Sequence, residues 1–187
     1  MMLIQTYTKS WIQNFNDIRE ELNEALSALN VAIEHVGSTA IPKLAAKPII
    51  DIDIVFGQQV AFEDIKRRLE KIGYYHKGNQ GIPNREVFKR SKTAAHHGIL
   101  DAIEHHLYVC PADSEELENH ILLRDYLIAH EEARLQYQNL KYALAEEANQ
   151  DRKKYAQLKE VKASPFILTI IAKAKIPTLS TYARKRT

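Results

Sequence analysis

The segment 47–56 constrains the fold most strongly, because apolar and acidic residues alternate along it. Such a period of two is typical of a β-strand whose two faces meet different surroundings. The residues expected to face the core are Ile50, Ile52, Ile54 and Phe56. Asp51 and Asp53 share the other face, with Cα atoms ~6.5 Å apart. We expect both carboxylates to lie in a cleft that solvent reaches.

Two carboxylates this close repel each other unless a cation lies between them. Their oxygen atoms suit Mg²⁺ or Mn²⁺, which use few carboxylates and leave positions for water and substrate phosphates. The alternative is a one-sided sheet whose acidic face meets water, because a two-residue motif is easily matched by chance. Ile49 and Val55 make the acidic face apolar around the carboxylates, which favours the metal interpretation.

A Gly37-Ser38 turn follows the β-branched segment 31–36. Glycine lets the backbone approach a phosphate closely, and the serine hydroxyl and the following N–H groups can bind its oxygens. Lys47, at the mouth of the acidic strand, could neutralise phosphate charge, and Arg85 could hold a phosphate through two hydrogen bonds. The ordinary alternatives are a simple turn and a surface arginine.

Apolar periodicity predicts a mixed sheet followed by helices. The predicted helices before residue 112 are 10–29 and 62–72, and the predicted strands are 31–36, 49–56, 86–89 and 105–110. After Pro111 the pattern is helical, with breaks near His130, Asn149 and Pro165. This order predicts an α/β or α+β fold in a single domain, 1–187, with a sheet-containing region (1–112), a helical region (113–176) and a basic tail (177–187).

Composition excludes several classes of protein. The single cysteine, Cys110, rules out a disulfide framework within the chain and a four-cysteine zinc site, and favours a cytoplasmic location. The sequence predicts neither a secretory signal nor a membrane span. Residues 151–187 hold ten Lys and Arg against two Asp and Glu, but they lack interleaved aromatic residues. Nucleic acid is therefore a partner that the sequence allows but does not indicate.

Several runs together resemble the GrpB family, within the wider nucleotidyltransferase superfamily, whose signature is a Gly-Ser turn followed by an Asp-x-Asp strand. The runs that carry the resemblance are His35–Pro42, Leu44–Ile52, Gly81–Arg85, His105–Val109, Leu123–Leu127 and Tyr137–Ala145. The resemblance covers about residues 10–175. It implies a nucleotidyltransferase-like fold, with a small mixed sheet flanked by helices and a C-terminal helical layer.

The resemblance also implies a site. Asp51 and Asp53 would be catalytic and would hold Mg²⁺ or Mn²⁺, with His106 as a further ligand. The residues expected to bind nucleotide phosphates are Gly37, Ser38, Lys47 and Arg85. The first functional hypothesis is a metal-dependent nucleotidyltransferase that transfers a nucleotidyl group from a nucleoside triphosphate to an unknown acceptor.

The second hypothesis is a non-catalytic nucleotide- or phosphate-binding module on the same fold. Nucleotidyltransferases usually carry a third carboxylate on the neighbouring strand, where this chain has His106. The second histidine of the family pattern is replaced by Tyr108. Tyr137 and Lys141 are one helical turn apart and could border a base pocket, although an exposed i, i+4 pair is the simpler explanation.

Overall fold

One mixed five-stranded sheet forms the centre of the protein in a computed structural model that describes residues 2–176. The strands are β1 (Val31–Val36), β2 (Ile50–Phe56), β3 (Tyr74–His76), β4 (Glu86–Arg90) and β5 (His105–Pro111). Their order is β1-β2-β5-β4-β3, in which β2 and β5 run parallel and the other neighbours antiparallel. The predicted mixed sheet is confirmed. The strand β3 was not expected, because three residues are too few to show a period of two.

Seven α-helices surround the sheet within the described residues. They are α1 (Ser10–Ala25), α2 (Phe62–Lys71), α3 (Gly98–Ala102), α4 (Glu115–Ala129), α5 (Glu131–Glu147), α6 (Arg152–Lys162) and α7 (Ser164–Lys175). The helices end close to the predicted breaks, and Pro165 lies in the first turn of α7, where its missing N–H is not needed. The predicted α/β fold class, with its C-terminal helical layer, is confirmed.

The apolar face of the sheet forms the first core. Ile50, Ile52 and Ile54 of β2 are at most 1 % exposed, as the alternation predicts. They pack against buried side chains of helices α1, α2 and α3, including Trp11, Leu22, Ile65 and Leu100. The opposite face, which carries the two aspartates, is therefore left for the C-terminal helices to cover.

A second core joins the C-terminal helices to the segment before β2. Leu44 and Ala45 are buried there among residues of α5, α6 and α7. The Ala45 peptide is held on both sides: its N–H donates to Gln138 Oε1 at 2.8 Å, and its carbonyl accepts from Lys141 Nζ at 2.5 Å. Arg124 of α4 also donates to the Glu34 carboxylate of β1 at 2.8 Å. These contacts fix the helical layer against the polar face of the sheet.

The predicted basic tail, 177–187, lies outside the described residues. Within residues 2–176, the structure contains no helix that is both long and apolar enough to cross a membrane.

We expect Ile52→Ala to lower the free energy of unfolding by about 2–5 kcal/mol, because it removes buried methyl groups at the centre of β2 and leaves a cavity. Ile52 is 0 % exposed, whereas Ile128 on α4 is 43 % exposed. The matched control Ile128→Ala should therefore cost less than about 1 kcal/mol. Urea denaturation of both variants checks this, and equal losses would show that Ile52 does not lie in the core.

Candidate functional site on the polar face of the sheet

Asp51 and Asp53 lie on one face of the central strand β2. The register pairs Asp51 with His106 and Asp53 with Tyr108 of β5, so these four side chains lie on the same face of the sheet. The side chain of Asp51 is 29 % exposed. The side chain of Asp53 is 0 % exposed, so the expectation that solvent reaches both carboxylates is wrong for Asp53. Helix α4, which carries His120, covers it.

Each aspartate is paired with a histidine. His106 Nδ1 lies 2.8 Å from Asp51 Oδ1, and His120 Nδ1 lies 2.7 Å from Asp53 Oδ2. The other ring nitrogen of His120 lies 3.4 Å from Glu116 Oε1, one helical turn earlier on α4. The two carboxylates are therefore not an uncompensated pair of like charges in the metal-free protein.

Protonation follows from this pairing. Burial alone would lower the pKa of His120, but the hydrogen bonds to Asp53 and Glu116 raise it to about 9. Burial acts to raise the pKa of Asp51, yet the hydrogen bond from His106 and the nearby charges of His106 and Lys159 outweigh it and lower that pKa overall. At neutral pH, His120 is thus a cation and Asp51 an anion.

The Gly37-Ser38 turn lies directly against Asp51. Gly37 has φ +70°, and a Cβ placed on it would come within 2.3 Å of Asp51 Oδ2. Only glycine fits this combination of backbone angle and close contact. Buried Thr39 ties the turn to the start of β2, because its hydroxyl donates to the Ile49 carbonyl at 3.2 Å.

A cavity of about 370 Å³, the helix-side cavity, opens between this turn and the helices α4, α6 and α7. Gly37, Ser38 and Asp51 form its floor. Leu123, Ile167 and Ile171 form an apolar wall, and Asn119 and Arg124 add polar groups. Tyr137 also lines it and is stacked on Phe166 with the ring centroids 5.4 Å apart.

A cavity of about 230 Å³, the lysine cavity, adjoins the first and shares Ser38, Asp51, Tyr108 and Lys159 with it. Its other cations are Lys47 and Lys141. Burial lowers the pKa of Lys141 well below its usual range, with repulsion from Lys159 as the next cause. The neighbouring Tyr137 and Asp51 raise the pKa of Lys159, against the effect of burial. The lysine cavity therefore gathers three lysine side chains beside the Asp51 carboxylate, where burial and mutual repulsion oppose the protonation of Lys141.

Arg85 is the one predicted phosphate ligand that borders neither of these cavities. Its guanidinium lies 4.8 Å from the centroid of the Tyr108 ring, and Nη1 lies 3.4 Å from Glu116 Oε1. The structure thus brings Gly37, Ser38 and Lys47 together around Asp51 but places Arg85 on the far side of Tyr108.

Three residues of the site were not predicted from the sequence: His120, Glu116 and Lys159. His120 and Glu116 share a helix face by spacing, but only the packing of α4 on β2 brings them to Asp53. Tyr137 and Lys141 are each 2 % exposed, so the interpretation as an exposed surface pair is wrong. Their i, i+4 spacing was the one sequence signal for a place in the site, because it allowed the pair to border a pocket.

The donor atoms fit a divalent cation in part. Within residues 2–176, no group of three or more His, Cys, Asp and Glu side chains is placed to hold a metal ion, so Asp51, Asp53 and His106 do not form a ready three-ligand centre. Asp53 Oδ1, however, is a buried carboxylate oxygen without a hydrogen-bond partner among the described residues. Mg²⁺ commonly uses one or two carboxylates and completes its shell with water and phosphate oxygens, which suits this pair.

In metal-free buffer, the stability that His120 contributes should fall as the pH rises. Folding raises its pKa from 6.5 to about 9, so its contribution is complete below pH 6.5 and is lost as the pH passes 9. The groups that face it are Asp53 on β2, Tyr108 on β5 and Glu116 on its own helix. The loss should amount to about 3 kcal/mol.

Denaturation of the wild type and of His120→Gln between pH 6 and 10, with EDTA present, measures this loss. The stability difference between them should shrink with rising pH, since glutamine does not titrate. If the variant does not fold, NMR titration of His120 in the wild type gives the same information. A pKa at or below 6.5 would contradict the ion pair.

Comparison with known proteins assigns the chain to a protein family. The chain matches the GrpB protein family over residues 2–173. It is 32 % identical over 154 residues to UPF0157 protein YqkA of Bacillus subtilis (strain 168), a match that covers 82 % of this chain. The matched region is only 43 % of that relative's length.

Solved structures agree with this family match. The crystal structure of the conserved protein GrpB from Enterococcus faecalis aligns with a TM-score of 0.73 and 27 % identity, over 96 % of this chain and 98 % of that chain. The structure of Cid1 in complex with its short product ApU aligns with a TM-score of 0.49 and 14 % identity, over 76 % of this chain and 43 % of that chain, which is too distant to indicate a function. The match along nearly the whole sequence and the agreement in fold show that this chain belongs to the GrpB family.

Proposed function

We propose that this protein is a metal-dependent nucleotidyltransferase, which binds a nucleoside triphosphate and transfers its nucleotidyl group to an acceptor hydroxyl. The observation that carries the proposal is the contact between Gly37 and the Asp51 carboxylate. It puts the Gly37-Ser38 turn and the Asp51 carboxylate, which could bind phosphate and a cation, at the junction of two adjoining cavities.

The lysine cavity suits the triphosphate. Lys47, Lys141 and Lys159 surround it, and Ser38 offers a hydroxyl and a backbone N–H at its edge. The lowered pKa values of Lys47 and Lys141, caused first by burial and then by repulsion from Lys159, indicate that these cations face no sufficient anion among the described residues. A polyphosphate would supply that negative charge and favour the protonated form of both lysines.

The helix-side cavity suits the nucleoside. Its volume of about 370 Å³ is within the range of small-molecule sites, and its wall of Leu123, Ile167 and Ile171 would cover an apolar ring. Asn119 and Arg124 supply the polar groups that could select among bases. The two cavities meet at Asp51 and Ser38, where the α-phosphate would then lie.

Asp51 and Asp53 would hold the divalent cation, which when bound would polarise the α-phosphate and offset charge on the leaving pyrophosphate. The acceptor oxygen forms a bond to the α-phosphorus while the bond between that phosphorus and the bridging oxygen of the β-phosphate breaks. The hydroxyl proton goes to solvent, and pyrophosphate leaves. Lys47 and Lys159 would stabilise the charge that develops on the pyrophosphate.

The second candidate, a non-catalytic nucleotide-binding module, is favoured by a different observation. Both aspartates already accept a hydrogen bond from a histidine, and β5 carries His106 and Tyr108 where a third carboxylate would be expected. Such a module would keep both binding cavities and lack turnover.

Pyrophosphate release separates the two candidates. With each of the four common ribonucleoside triphosphates, and with water or a small-molecule extract as acceptor, we expect release only when Mg²⁺ or Mn²⁺ is present. Asp51→Asn should reduce it about 100-fold, because the substitution removes the charge that a hard cation needs. Asp113→Asn, at an exposed aspartate outside the site, is the matched control.

The outcomes are distinct. A nucleotide-dependent rise in melting temperature without release of pyrophosphate would support the binding module. A chain that neither binds nor turns over any of the four triphosphates would contradict both candidates.

Lys159→Gln should weaken binding of the metal-bound triphosphate about tenfold, because it removes the cation common to both cavities. Lys153→Gln is the control, since Lys153 lies on the same helix, α6, and is exposed. Isothermal titration calorimetry with a non-hydrolysable triphosphate measures both. Equal affinities for the two variants would remove Lys159 from the site.

A further inference from the structure

A third cavity, of about 690 Å³, lies on the polar face of the sheet along β4 and β5. This edge cavity is lined by Arg85, Lys89, His106, Tyr108 and Arg152, among others. His106 and Tyr108 form its boundary with the lysine cavity. We propose that the edge cavity binds the acceptor, a small hydroxyl compound that carries a phosphate group; this rests on the proposed function.

The charges of the edge cavity indicate an anionic ligand. Four cations line it, Arg85, Lys89, Arg90 and Arg152, against two acids. Both acids are already engaged: Asp101 accepts from Arg90 at 2.7 Å, and Glu104 pairs with Arg152. The other two cations, Lys89 and Arg85, have no carboxylate partner among the residues that line the cavity.

Lys89 is the first of these two. It is exposed and has no carboxylate within 4 Å among the described residues. Lys89 and Val87 are two residues apart on β4, so the register of Val87 with Tyr108 places both side chains on the polar face. Lys89 can therefore reach a ligand in the edge cavity without giving up a partner.

Arg85 is the second. Its Nε is buried and has no hydrogen-bond partner among the described residues, and its one carboxylate contact there, to Glu116, is long at 3.4 Å. A buried donor without a partner is costly, and a ligand oxygen would remove that cost. The guanidinium lies over the Tyr108 ring, and the planar arginine group can bind two oxygens of one phosphate.

The position of the edge cavity fits an acceptor rather than a second nucleotide. A ligand anchored at Arg85 and Lys89 would extend toward His106 and Tyr108, which separate it from Asp51 and the lysine cavity. Its hydroxyl would then approach the α-phosphate from the side opposite the lysines. The oxygen of that hydroxyl bonds to the α-phosphorus, pyrophosphate leaves toward the lysines, and the proton goes to solvent.

Glycerol 3-phosphate is a suitable probe, because it carries one phosphate and two hydroxyls. Titrated into ¹⁵N-labelled protein, it should shift the amide signals of Arg85 and Lys89 and leave those of Lys47 and Lys159 unchanged. A non-hydrolysable triphosphate with Mg²⁺ should shift the signals of Lys47 and Lys159 and leave those of Arg85 and Lys89 unchanged. Both ligands should bind to the protein at the same time.

The variant Lys89→Gln should weaken binding of glycerol 3-phosphate about fivefold without changing the affinity for the triphosphate. Lys71→Gln, at an exposed lysine on α2, should change neither affinity.

Each result decides a separate question. No shift at Arg85 and Lys89, or displacement of the probe by the triphosphate, would overturn the acceptor site while the proposed function stands. Probe binding at the edge cavity with no triphosphate binding at Ser38 and Lys159 would overturn the proposed function, and with it the acceptor role. Equal probe affinity for Lys89→Gln and Lys71→Gln would also overturn the site.

Discussion

The close contact between Gly37 and Asp51 is the constraint on which the candidate site depends. The backbone of Gly37 lies directly against the side chain of Asp51, so the turn after β1 and the carboxylate on β2 act as one unit. The turn is held by Thr39, the preceding strand by its register with β2, and the helical layer by the contacts of Ala45. The cavities on either side are consequences of this arrangement, because they share Ser38 and Asp51 as their common edge.

The burial of Asp53 is the least ordinary feature of the site. A fully buried carboxylate is costly unless it is paired with a cation and hydrogen-bonded. His120 supplies both the opposite charge and a hydrogen bond, but only to one of the two carboxylate oxygens, Oδ2. Its other oxygen, Oδ1, is left without a partner among the described residues. The proposed cation site would give this oxygen a partner.

The alternation along β2 predicted its position and its buried face, because a period of two is a local property that a sequence displays directly. Local turn chemistry likewise placed Gly37 at the end of β1. His120 and Lys159 could not be found in this way, since they reach Asp53 and Asp51 from helices more than 60 residues further along the chain. Arg85 was predicted to bind phosphate from its residue type and its place in a run that resembles the family, and its separation from Asp51 by the Tyr108 ring is a matter of tertiary packing. The site roles of these residues stay predictions.

Tyr108 stands where all three cavities meet, and its ring is a wall of each of them. Together with His106, this side chain sets the partition between the edge cavity and the lysine cavity. The sizes of the compartments are consequently not independent, because enlarging one by moving this ring reduces another. A smaller residue at this position would widen the passages between these spaces, so a single substitution could change the range of molecules that such a fold accommodates, with the sheet, the helices and the charged groups left as they are.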